Sequence, residues 1–318
     1  MIPAPRHPAD AQPSDAAPPP YFSVLIGRAS TEDVRRILEV LDALRLQDCR
    51  EPYEVIVVDR CDDALSRIVD ESYPEVHLLR CRADLSLPQM RALALQAARA
   101  PHVIVTEDHC VPATGWLQQF ARLIREYPRA VAIGGCVENG LTQNTLDWAT
   151  YLCEYASAAS PFAEGPSTKL TGVNVAYTRR VLSALPAQQL EQGFWELTVH
   201  PLLNSRGDLL IVSDTPVVYH RKRFSLRHFL RQRLAYSRYF AGARFGRRRL
   251  VRALAAVSSP ALPVLFAARL MREMRTRRRF KRPALRAAPY LALFFLAAAA
   301  GELIGYVSGP GTALGTLE

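Results

Sequence analysis

Glu107, Asp108 and His109 stand in a row directly after the β-prone segment His102–Val105, and they are the residues of this chain best suited to chemistry. Two carboxylates and an imidazole match the donor preferences of a divalent cation. The carboxyl end of a strand is also where an open α/β sheet binds ligands. In extended backbone Glu107 and His109 project to one side and Asp108 to the other. The plainer alternative is a polar strand end that caps a helix starting at Trp116. Glu196 and His200 are four residues apart and share a helix face, so a carboxylate beside an imidazole could serve as a general base on a hydroxyl; a surface pair has the same spacing. His220 ends another apolar segment and precedes Arg221-Lys222-Arg223. Those cations could hold phosphates and the imidazole could add a metal ligand; otherwise they form a solvated basic loop. Asp59 closes the segment YEVIVVD, where an acid can meet a nucleotide base or ribose, or cap a helix. Arg231, Gln232, Arg233 and Arg238 form a basic helix face interleaved with Tyr236, Tyr239 and Phe240. That face suits a diphosphate, lipid headgroups or simply an acidic surface.

The elements that must position these residues alternate. YFSVLIG, residues 53–59, residues 75–80, HVIVTED and residues 130–137 read as strands. Residues Ser30–Asp33 read as a helix cap, and Leu87–Ala100 and Trp116–Tyr127 as helices, with Pro88 suited to a first turn. This order predicts an α/β fold with a mostly parallel, doubly wound sheet and right-handed crossovers. Residues 156–168 read as a mobile loop, 194–207 as a short helix ending at Gly207, and DLLIVSDTPVVYH as two short strands. Phe224–Phe245 reads as a basic helix.

The chain has 318 residues, enough for one large core with an appendage, and a net charge of +10. Half of its 40 Lys and Arg lie between Arg221 and Arg282 with a single acid, Glu273. Such a tail fits nucleic acid or an anionic membrane, and the long apolar runs within it favour lipid. Ala253–Ala268 contains Pro260 and Pro263 and is expected to be re-entrant or interfacial; Ala287–Ile304, at 18 residues, is expected to span or lie at the interface. Eight Arg or Lys between them, at 269–282, oppose a simple crossing by the first run. Residues 1–20 lack a signal-peptide pattern and read as a disordered arm, and the six scattered cysteines suit a reducing cytosol. Expected divisions are the arm at 1–20, a catalytic domain at 21–220, a basic amphipathic helix at 221–250 and membrane-associated helices at 251–318. The sequence has no phosphate-binding glycine loop, no Gly-x-Gly-x-x-Gly and no Gly-x-Ser-x-Gly, which argues against ATPase, NAD and serine hydrolase chemistry.

Taken in order, the SVLI strand, EVIVVD, LPQMRALALQAARAPHVIVTEDHCVP, TGVNVAYTRR and the FWE segment resemble the family-2 glycosyltransferases of the GT-A fold, over roughly Tyr21–Phe245. The resemblance implies that Asp59 meets the nucleotide base, that Arg91 sits near the donor, and that the family's Asp-x-Asp metal motif falls on Glu107-Asp108-His109. It places the acceptor side at Gly172, Asn174, Trp195 and His200, the base at Glu196, and a late metal- or diphosphate-directed histidine at His220. Arg221, Arg231 and Arg233 would then face the donor diphosphate; the last two lie in a segment similar to Gln-x-x-Arg-Trp but without its Trp. The implied reaction is inverting transfer from a nucleoside-diphosphate sugar, UDP before GDP, to a hydroxyl of a lipid-linked or glycan acceptor. It would run with Mn2+ or Mg2+ at the cytoplasmic face of the membrane, with lipids and not nucleic acid as partners. The departures from Asp-x-Asp leave an inactive membrane scaffold as one rival. A nucleotidyltransferase is the other, although Gly27-Arg28-Ala29-Ser30 is a poor match to its glycine-rich loop.

Overall fold

The computed structural model describes residues 18–29, 34–191, 193–244 and 249–311. The expected cap at Ser30–Asp33 and most of the N-terminal arm, residues 1–17, lie outside the described residues. The order is β1 (Phe22–Arg28), α1 (Val34–Arg45), β2 (Tyr53–Asp59), α2 (Leu65–Ser72), β3 (Val76–Arg80), α3 (Leu87–Ala97), β4 (His102–Glu107), β5 (Cys110–Pro112), α4 (Trp116–Glu126) and β6 (Ala130–Asn139). Then follow α5 (Thr145–Tyr155), β7 (Gly165–Pro166), β8 (Val175–Thr178), α6 (Arg179–Ser183), α7 (Ala187–Glu191), α8 (Glu196–Ser205), β9 (Leu209–His220), α9 (Leu226–Arg244), α10 (Arg249–Ser258), α11 (Leu262–Arg277) and α12 (Lys281–Ser308).

One mixed sheet in the order β3-β2-β1-β4-β8-β6-β9-β5 organises the α/β core, with β7 on β9. The β3-β2-β1-β4 half is parallel, as alternating strands and helices require; antiparallel pairs join β8 to β4 and β6, and β5 and β7 to β9. Every residue of β1 is buried, because helices cover both faces. Phe22, Val24 and Ile26 point into one apolar layer and Leu25 into the other, the two-residue period of a strand made physical. β9 is one strand where the residues suggested two. Its ladder to β6 breaks between Val212 and Val217 around Pro216, whose ring nitrogen has no hydrogen to donate.

Two further expectations change. The 156–168 segment is tied down, not loose: Arg277 donates to the carbonyls of Ser157 at 2.6 Å and Pro161 at 3.0 Å, and Arg279 to that of Ser160 at 2.5 Å. The C-terminal helices are also no detached appendage. α12 buries Ala287, Leu291 and Phe294 in the same apolar layer as α1, α4 and α5. It runs parallel to α9, with the Phe229 and Phe294 rings 4.4 Å apart. Gly301 and Gly305 permit that approach: a Cβ on either would stand 2.3 Å from the carbonyl oxygen of Leu234 or Arg238 respectively. By length and composition alone, Arg249–Arg277 and Lys281–Ser308 are each long and apolar enough to cross a membrane. Gly305→Leu should undock α12 from α9, costing about 2 kcal/mol or more. A lowered melting temperature with new trypsin cuts around Arg275–Arg286 is the expected readout; an unchanged digest would contradict the packing.

Candidate active site

The site lies at the carboxyl ends of β1 and β4, where Gly27 pairs with Glu107 in the parallel ladder. A small cavity there is lined by Gly27, Ala29, Leu87, Glu107, Asp108, His109 and Lys222. The chain turns at Asp108-His109 into β5, and β5 pairs antiparallel with the end of β9, setting Cys110 opposite His220. The Arg221 N–H donates to the His109 carbonyl at 2.8 Å and locks that register. The His109 and His220 rings thereby meet edge to face with centroids 4.9 Å apart, although 110 residues separate them.

α3 begins at a capping box, in which the Ser86 N–H donates to the Gln89 side chain at 3.0 Å. This fixes the helix that carries Arg91, a buried arginine. Its Nη2 donates to Glu107 at 3.2 Å and its Nη1 to Glu196 at 3.1 Å. One guanidinium therefore joins the β4 corner to the first residue of α8. Gly172 is required at that junction: a Cβ would lie 2.2 Å from the Glu196 carboxyl carbon.

The corner's charges interlock. His109 Nδ1 lies 2.7 Å from Asp108 and its Nε2 3.1 Å from Glu107. Burial pushes Glu107 upward, but His109, Arg91 and Lys222 outweigh it and hold the carboxyl down at about 2. Burial likewise favours neutral His109, and the two carboxylates overcome it and raise its pKa. His220 is held well below the ordinary histidine range by burial and by the neighbouring His109, so it is the neutral imidazole of the pair. Burial raises the Glu196 carboxyl, against the opposing charge of Arg91, which makes it a stronger base than an ordinary glutamate. Ligand atoms of Glu107, His109 and Cys110 lie within 4.8 Å of one another. The carboxylates suit a divalent cation such as Mn2+ or Mg2+, and an imidazole beside them tilts the set toward Mn2+. Glu107 and Asp108 would hold the cation, His109 would join them on giving up its proton, and the neutral His220 stands beside them.

Other sequence candidates fall elsewhere. Asn174 does not face an acceptor: it is fully buried, accepts from Trp116 Nε1 at 2.9 Å and donates to the carbonyls of Cys136 at 2.7 Å and Pro216 at 2.8 Å. His200 does not join Glu196 either. Its Nε2 pairs with the Tyr177 hydroxyl at 2.7 Å inside the core, and burial lowers its pKa to about 4. Arg221 turns outward to Glu39 on α1 at 2.9 Å. Its neighbour Lys222 lines the cavity instead, because strand parity continues past β9 with His220, Lys222 and Phe224 in and Arg221 and Arg223 out. That alternation was the available signal for Lys222 in the run RKRF. Arg233 reaches Glu154 on α5 at 2.7 Å, while Arg231 is exposed. Asp59 is fully buried, engaged by Arg28 at 3.3 Å, Arg80 at 3.4 Å and the Cys61 N–H at 2.9 Å. A nucleotide reaching Asp59 must displace one of these partners, and Arg28 is the one no motif flagged. Trp195 precedes Glu196 and packs on Tyr236 and Tyr239, with centroids 5.5 and 5.6 Å away.

Gly172→Ala should push the Glu196 carboxyl aside and cut kcat by about tenfold or more with little change in melting temperature; unchanged turnover would contradict the contact. His200 is neutral when folded down to about 4 but takes a proton near 6.5 when unfolded. Its contribution to stability is therefore present above pH 6.5 and lost as pH falls toward 4. The melting temperature of the His200→Gln variant should fall less than wild type across that window, and parallel curves would refute the assignment.

The sequence model of Glycosyl transferase family 2 matches residues 32–184. No curated protein matches the chain. Among solved structures, the chain is similar to the mannosyltransferase PcManGT from Pyrobaculum calidifontis in complex with GDP-Man and Mn2+, at 21% identity and a TM-score of 0.56, over 92% of this chain and 91% of that one. It is also similar to GalNAc-T7 with UDP, GalNAc and Mn2+, at 16% identity and a TM-score of 0.52, over 65% of this chain and 44% of that one. Both likenesses are of fold. The family match covers β2 through β8, the elements that carry Asp59, Arg91 and the Glu107–His109 corner. Residues 32–184 are thus similar to Glycosyl transferase family 2, set on a fold like that of the two glycosyltransferase structures.

Proposed function

We propose that the protein transfers a sugar, with inversion, from a nucleoside-diphosphate sugar to a hydroxyl of a membrane-linked or glycan acceptor. The observation that carries this reading is the Glu107–Arg91–Glu196 chain of contacts, which sets a raised-pKa carboxylate beside a cation-binding corner. Glu196 removes the proton from the acceptor hydroxyl, and that oxygen attacks the anomeric carbon opposite the departing diphosphate. No covalent sugar–enzyme intermediate is required, so one carboxylate suffices. Lys222 supplies positive charge where the leaving diphosphate collects its own. A divalent cation bound by Glu107, Asp108 and His109 would neutralise diphosphate charge.

The names of the two similar structures print GDP-Man and UDP with GalNAc, each with Mn2+, so both base classes belong in the donor panel. Trp195, between Glu196 and the Tyr236–Tyr239 pair, supports an acceptor approaching along α9. The two apolar C-terminal helices support an acceptor met at a membrane, and six free cysteines suit its cytoplasmic face.

Glu196→Gln tests the base. Calorimetry with UDP- and GDP-sugars and Mn2+ should show donor binding within a few-fold of wild type, while transfer falls by at least about a hundredfold. Full turnover in the variant would move the base elsewhere. Absence of donor binding in the wild type, with or without metal, would refute the proposed reaction.

A further inference from the structure

α12 has two apolar faces, and among the described residues only one of them has a protein partner. Ala287, Leu291, Phe294, Gly301 and Gly305 are buried against α5 and α9. On the opposite side, Leu285, Leu293, Leu296, Leu303 and Val307 are exposed at 79%, 44%, 56%, 41% and 67%. Their spacings of eight, three, seven and four residues hold them in one stripe along the helix. α10 repeats the pattern with Leu250, Leu254 and Val257 exposed at 82%, 72% and 81%. Exposed apolar residues on three neighbouring helices, with Val264 and Leu265 of α11 at 74% and 62%, exceed what a water-facing surface normally carries. At the α11–α12 turn, Arg275, Arg278, Lys281, Arg282 and Arg286 are all exposed, a cationic rim beside the apolar stripe.

The docking of α12 decides how such a surface meets lipid. α9 lies along α12 from Phe229–Phe294 to the Arg238–Gly309 hydrogen bond of 3.3 Å, so the two helices share one direction and one depth. α9 carries exposed Arg231, and its Arg233 is bound to Glu154 of α5, a helix of the catalytic layer. If α12 crossed the hydrocarbon, α9 and part of the catalytic layer would enter with it, bringing charges that hydrocarbon excludes. A helix of 28 residues laid flat extends about 42 Å with every exposed leucine at one depth.

We propose that α10–α12 seat the enzyme in the plane of an anionic bilayer, on one leaflet, without crossing it. The stripe of α12 enters the acyl layer, the rim from Arg275 to Arg286 meets lipid phosphates, and α9 stays on the water side with the catalytic site. This deepens the membrane reading given above and rests on it.

Full-length protein is tested on vesicles of phosphatidylcholine with about one-third phosphatidylglycerol. Leu285→Trp, Leu296→Trp and Val307→Trp variants are compared, with wild-type emission subtracted to remove the native tryptophans. In-plane seating predicts equal quenching of all three by lipids brominated near the headgroup. Quenching of Leu296→Trp alone by lipids brominated near the chain ends would establish a crossing helix and overturn the proposal. The Leu296→Glu/Leu303→Glu double variant should bind these vesicles at least tenfold more weakly with an unchanged melting temperature. Undiminished binding by that variant, or equal wild-type binding to pure phosphatidylcholine, would also overturn it. Donor binding measured without vesicles reads the glycosyltransferase proposal separately, so failure of either is distinguishable from failure of the other.

Discussion

A buried arginine with two carboxylate partners holds the site together. Arg91 sits in α3 beneath the sheet's carboxyl edge, out of water, where an uncompensated guanidinium would cost several kcal/mol. Glu107 from the end of β4 and Glu196 from the start of α8 compensate it. They are 89 residues apart in sequence, and neither contact is local to the other. Removing either carboxylate would leave Arg91 underpaired, and removing Arg91 would leave two acids facing each other. The same balance separates the two carboxyls chemically: Glu107 is held down by three neighbouring cations and Glu196 is raised by burial. One stays charged at the Glu107–His109 corner, and the other can accept a proton.

The sheet's second half exists, in functional terms, to return the chain to that corner. β9 runs beside β6, and its last residues pair with β5, which is what delivers His220 and Lys222 to Glu107–His109. Asn174 underpins the return. By tying Trp116, Cys136 and Pro216 together it holds α4, β6 and β9 at fixed separation exactly where the ladder breaks at Pro216 and backbone pairing cannot do so. It contributes to the site by shape alone.

The C-terminal helices are bound into the same arrangement. α12 packs on α9 through Gly301 and Gly305, α9 reaches α5 through Arg233–Glu154, and the α11–α12 turn grips the 156–161 segment through Arg277. Trp195, adjacent to Glu196, rests on Tyr236 and Tyr239 of α9. The helix on which α12 packs therefore also walls Glu196, so the C-terminal helices and the candidate site share one scaffold.

Much of this was readable in one dimension. Strand–helix alternation, the Glu107-Asp108-His109 corner and a carboxylate at the start of α8 follow from residue order, because local periodicity and strand ends are local properties. Pairings across long separations were not readable, and they explain each departure. His200 has helical spacing to Glu196, yet Tyr177 on β8 takes it into the core. Asn174 follows a turn glycine, yet three distant backbone and side-chain groups claim it. Arg221 and Lys222 are neighbours with the same charge, and only the register of β9 turns one outward and the other into the cavity. By itself the sequence determined the likeness to a family over its first half, the parallel half of the sheet and the presence of two apolar helices. Tertiary structure alone decided which ionisable groups share the site and which face of α12 the described residues leave uncovered, because burial and charge pairing depend on contacts that strand register and helix packing create.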